Sequence, residues 1–110
     1  MKKVIAYYGT ATKNTEGDVT IYTVPSGQVF TLEKVEVVFG SGVDFDLELS
    51  IYHGIKQVVP HEGVIAGSPG RIPLECEWKW QSGDRIILHY KNSNSTTDFK
   101  YSCYLIGDLR

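Results

Sequence analysis

Helix-forming composition is missing from this chain. Ala6, Ala11 and Ala66 are the only alanines among 110 residues. Alanine is the strongest helix former, and no stretch sets apolar residues at helical spacing between good caps. Basic excess is missing too. Eleven Lys and Arg face thirteen Asp and Glu, interspersed, for a net charge of −2. Nucleic-acid binding needs a concentrated basic face, and Lys2-Lys3 with the separated Lys79 and Arg85 do not make one. No apolar run approaches the ~20 residues of a membrane span, so no membrane partner is expected. After Met1-Lys2-Lys3, the stretch Val4 to Gly9 is too short for a signal-peptide core, which sets the expectation of a chain made in a cytoplasm. Cysteine is limited to Cys76 and Cys103, without CxxC spacing, which disfavours a metal site. Both read as reduced thiols acting as small hydrophobes; a disulfide stays open, subject to Cα separation.

What is abundant is alternation. Val43, Phe45, Leu47, Leu49 and Ile51 fall on one side of an extended chain, and Asp44, Asp46, Glu48, Ser50 and Tyr52 on the other. Ile72, Leu74, Cys76, Trp78 and Trp80 repeat the pattern, as do Phe99, Tyr101, Cys103 and Leu105. A period of two marks strands with one buried and one wet face. Strands are expected at Lys3–Tyr8, Asp18–Val24, Gln28–Phe39, Val43–His53, Lys56–Val59, Arg71–Trp80, Arg85–Lys91 and Asp98–Gly107. Val24-Pro25-Ser26-Gly27 reads as a type I turn, Gly40-Ser41-Gly42 as a short hairpin loop, and Asn92 to Thr97 as a mobile polar loop. In the third strand, Phe30 and Leu32 set one phase and Val35, Val37 and Phe39 the other. That slip calls for a β-bulge near Glu33-Lys34 or a bend between sheets. The expectation is one all-β domain over residues 1–110, an antiparallel two-sheet β-sandwich, jelly-roll-like. An immunoglobulin-like sandwich is the alternative.

Reactive constellations are hard to find. His53 falls on an inward phase, His89 on an outward one, and His61 precedes Glu62 in the Gly63–Gly70 connection's approach. No His-x-His occurs; His53, His61 and Glu62 form the only conceivable metal nucleus, with poor count and spacing. Ser26, Ser41, Ser82, Ser93 and Ser95 lie in turns, without a strained elbow. Asp44, Asp46 and Glu48 read as a solvated strand face. No catalytic residue, metal or cofactor is therefore expected. Aromatics are the remaining lead: Tyr22, Tyr52 and Tyr104 fall on outward phases, and Trp80 with Asn92 completes the set of candidate interaction residues. Exposed aromatics can stack on sugars or pack against another subunit, although Trp78 and Trp80 also keep the phase of the core.

The stretch from Val19 to Val35, with Val24-Pro25-Ser26-Gly27-Gln28 at its centre, resembles a "VYTVPAGK…L…I" pattern. That pattern is similar to one in small β-sandwich modules of phage and virus particles, among them head, neck, fibre and tail components. Gln28 stands where lysine is commoner. Trp80-Gln81-Ser82-Gly83-Asp84-Arg85-Ile86 resembles a "GD.I" reversal of the same modules. The resemblance implies structural work in a virion assembled in a host cytoplasm. The implied partners are copies of the chain, often with three-fold or higher symmetry, and other particle proteins. A carbohydrate-binding module using Tyr22, Tyr52, Trp80 and Asn92 is the alternative, with glycans as partner.

Overall fold

In the computed structural model, which describes residues 1–110, the alternating segments form eight strands. They are β1 (Lys2–Ala11), β2 (Thr15–Thr23), β3 (Phe30–Phe39), β4 (Leu47–His53), β5 (Lys56–Val59), β6 (Gly70–Trp80), β7 (Arg85–Asn92) and β8 (Phe99–Leu109). One sheet has the order β1-β8-β3-β6 and the other β2-β7-β4-β5. All pairs are antiparallel. The topology reduces to one operation. The chain doubles back between β4 and β5, so that β4 pairs β5, β3 pairs β6, β2 pairs β7 and β1 pairs β8. Rolling that long double ribbon places alternate pairs in opposite sheets, which is jelly-roll-like winding.

The core is the sum of the inward phases. Phe30, Leu32, Val35, Val37, Leu47, Leu49, Ile51, Ile86, Leu88, Phe99, Cys103 and Leu105 are all buried between the sheets. The phase slip in β3 is a bulge: Leu32 pairs with Gly107 and Lys34 with Ile106, leaving Glu33 unpaired. The extra residue restores the inward phase for Val35 and Val37, as expected of a bulge.

Three local expectations are corrected. The fourth strand begins at Leu47, not Val43, because Phe45 takes φ +63° and its N–H binds the Gly67 carbonyl at 2.9 Å. Positive φ ends the extended run, and Phe45 is turned out to solvent, 65% exposed. The reversal after Val24 falls one residue late: Gln28 N–H binds the Pro25 carbonyl, and Gly27 at φ +79° occupies the third position, as type II geometry demands. The Asn92–Thr97 loop is tied down. Asn94 Oδ1 accepts from the Thr96 and Thr97 N–H groups, and its amide reaches Asp46 Oδ2 at 2.9 Å. Cys76 and Cys103 are both free, with β3 running between their strands. Burial raises both thiols, Cys103 to about 12, so neither is a ready nucleophile.

Candidate functional site

The structure scatters the five candidate residues. Trp80 is wholly buried and stacks at a tilt 5.5 Å from His53. Its indole N–H has no acceptor, so it supplies volume, not a hydrogen bond. Asn92 is buried as well. Its amide donates to the Ala11 and Thr97 carbonyls, both at 3.0 Å, while its carbonyl takes the Asn94 N–H at 2.9 Å. It joins the ends of β1 and β7 to the last loop, a structural task. Tyr22 points inward, against the phase count. A second bulge at Ile21 shifts the register, so Thr20 pairs with outward Ile87 but Tyr22 pairs with buried Ile86. Its ring then packs 6.2 Å from Phe30, with Lys3 Nζ over the ring. Tyr52 and Tyr104 do face outward, but from opposite sheets. They cannot share a ligand.

Sequence reasoning left His89 as a lone exposed histidine. Pairing of β2 with β7 places Glu16 and Asp18 beside it. Its Nδ1 lies 2.6 Å from Asp18 Oδ1 and its Nε2 2.8 Å from Glu16 Oε2. With a carboxylate at each nitrogen, the doubly protonated ring can donate to both. Burial works to lower the proton affinity, but the hydrogen bonds to Asp18 and Glu16 outweigh it and hold His89 above its ordinary value. Tyr52 meets the same ring edge-on at 6.0 Å. Signals for this cluster were the i, i+2 carboxylates on β2 and the outward phase of His89; register was the missing fact.

His53 is engaged elsewhere. Trp78 Nε1 donates to its Nδ1 at 2.9 Å, which leaves the proton on Nε2, 2.9 Å from Asp84 Oδ2. The Gln81 N–H holds the Asp84 carboxyl below the usual range; slight burial opposes this and the His53 bond adds to it. His61 and Glu62 are exposed in the connection beyond β5. The structure brings together no group of three or more His, Cys, Asp or Glu suited to hold a metal ion.

An apolar stripe runs along the outer face of the β1–β8 sheet. Register places Val4 beside Ile106, Ala6 beside Tyr104, and Tyr8 beside Ser102, which also adjoins Val38. Val4 and Tyr8 are 61% and 69% exposed. Tyr8 and Tyr104 meet edge-on at 6.0 Å. A shallow hollow of about 290 Å³ opens beside them, lined by Tyr8, Gly9, Val38, Lys100 and Tyr101.

The fold is shared with two phage capsid chains. A chain of the acid-stable capsid of Helicobacter pylori bacteriophage KHP30 superposes with a TM-score of 0.58 and 14% identity, over 100% of this chain and 97% of that one. A chain of the cyanophage Pam1 capsid asymmetric unit gives 0.57 and 13% identity, over 96% of this chain and 83% of that one. FLHE gives 0.50 and 6% identity over 96% of each chain, so the fold is not confined to chains described as capsid components. No protein-family model matches the sequence, and no curated protein matches it. At such identities the likeness concerns fold, and function must be argued from surfaces.

Proposed function

We propose that this chain is a non-enzymatic structural or accessory protein of a phage or virus particle, present in the virion and assembled in the host cytoplasm. Its partners are copies of itself and other particle proteins. The observation that carries the reading is the end-to-end structural match with a KHP30 capsid chain, spanning 97% of that chain. The apolar stripe of Val4, Tyr8, Tyr104 and Ile106 supports it from the surface side, since contiguous exposed apolar residues mark interaction faces. The glycan-binding alternative loses its platform: Trp80 and Asn92 are buried and Tyr22 is turned inward.

The test is direct. Particles released by the organism that encodes the chain are purified on a density gradient and probed with an antibody to the chain. The chain is expected to co-migrate with intact particles in amounts comparable to other capsid components. Absence from particles, with the chain present only in the soluble lysate, overturns the reading.

A further inference from the structure

We infer that β1 is a self-pairing edge: two copies join antiparallel through β1, across a two-fold axis at Ala6, to make one continuous eight-stranded sheet. The choice of a second copy as occupant rests on the reading above of a self-associating chain. The geometry of the edges supplies the rest.

A sandwich of two open sheets has four edge strands, and proteins normally blunt such edges. Three of the four here are blunted. β6 carries Pro73 in mid-strand and an exposed row of Arg71, Glu75, Glu77 and Lys79. β2 is bent by the bulge at Ile21 and carries Glu16 and Asp18. β5 is only 4 residues long. β1 has none of these devices. It is 10 residues long, free of proline, and in unbroken register with β8 from Lys2 to Ala11. Its charges, Lys2 and Lys3, sit at one end only.

Charge and side-chain pattern together select the antiparallel register. Centred on Ala6, it sets Lys2 opposite Thr10 of the second copy and Lys3 opposite Gly9. The two Lys2 residues then stand about 27 Å apart, eight residues at ~3.4 Å each, well beyond the ~8–10 Å screening length. A parallel alignment would stack each lysine on its own copy. On the outer face, Val4 falls opposite Tyr8 of the second copy. The strand's two exposed large hydrophobic side chains thus form an aromatic–β-branched cross-strand pair, twice over. Ile5 falls opposite Tyr7 on the inner face. The apolar stripe becomes continuous across the axis, from Tyr104 through Ala6 and its copy to the second Tyr104.

The experiment uses the full chain. Sedimentation equilibrium is expected to give twice the 12.3 kDa chain mass. Ala6 is exposed, so Ala6→Lys places two like charges across the axis without touching the core; it is expected to give a monomer that still melts in one cooperative transition, at a midpoint independent of protein concentration, whereas the parent's midpoint rises with concentration. In a Cys76→Ser background, Ala6→Cys is expected to form a disulfide dimer on mild oxidation, because directly opposed antiparallel residues are ~4.5–5.5 Å apart, within disulfide range. Thr20→Cys in the same background, on the other sheet's edge, is expected to form no disulfide cross-link. A monomeric parent chain, an oligomer indifferent to Ala6→Lys, or equal cross-linking at Thr20 overturns the inference. A monomer found in particles overturns the β1 pairing and leaves the particle role standing. A β1 dimer absent from particles does the reverse.

Discussion

At the scale of single residues, phase and burial diverge on β6. Trp78 and Trp80 share a phase on the edge strand β6, yet Trp80, at the strand's end, is fully buried and Trp78 only half so. Trp80→Ala is therefore expected to cost ~3–5 kcal/mol, the range for deleting a buried aromatic. Trp78→Ala is expected to cost less, although it removes the hydrogen bond to His53. Glu77→Ala, on the wet face, is expected to change stability by less than ~0.5 kcal/mol. Urea denaturation of the three variants checks the order. His89 gives a pH prediction. Its folded-state proton affinity is raised, so its contribution to stability is complete below the unfolded pKa of about 6.5. It is lost as pH rises through the folded pKa. Thermal melts are expected to be higher at pH 6 than at pH 8.5, and His89→Ala to flatten that difference. Equal pH slopes in parent and variant would refute the role of Glu16 and Asp18 as proton-stabilising partners.

At the scale of elements, the bulges decide which faces the side chains occupy. The bulge at Glu33 was legible, because Phe30/Leu32 and Val35/Val37 stand on opposite parities. The bulge at Ile21 was not: Ile21 and Tyr22 are both large and apolar, and either parity satisfies the pattern. The β3 bulge also depends on Gly107. A Cβ there would lie 2.2 Å from the Thr31 carbonyl oxygen and 2.8 Å from the Phe30 ring. A backbone carbonyl inside a paired strand cannot step aside cheaply. Gly107→Ala is expected to destabilise by ~1–3 kcal/mol or more, as overpacking does. Its denaturation midpoint should fall while the slope stays constant. A midpoint equal to the parent's would show that the bulge yields.

At the scale of the molecule, the nested pairing makes nearly every stabilising pair non-local. β1 closes on β8, at the far end of the chain, and the Met1 ammonium reaches Asp108 at 2.8 Å. Loop-closure entropy must be overcome before such pairs form. Refolding is expected on the millisecond-to-second scale typical of all-β sandwiches, which stopped-flow fluorescence of Trp80 and Trp78 can measure. Microsecond refolding would contradict this account. The same topology sets the sheet edges on the outside of the roll, where β1 alone is left long, straight and unblunted.

The sequence by itself determined that there are eight strands, most of their inward faces and the two-layered class, with Phe45 and Tyr22 as the exceptions. These depend on local alternation and turn chemistry, and strict period-two patterns such as Ile72 to Trp80 admit one reading. It also carried the likeness to particle modules through the strand–Pro25-Ser26-Gly27–strand arrangement. Only the tertiary structure decided which strands are neighbours. Pairing of β2 with β7 assembled Glu16, Asp18 and His89 from positions more than 70 residues apart. Pairing of β1 with β8 assembled Val4, Tyr8, Tyr104 and Ile106. Burial of Trp80 and Asn92 was likewise a matter of what covers a strand end. The physical reason is that register between distant strands is set by the whole core at once, and a single chain's parity count contains no term for it.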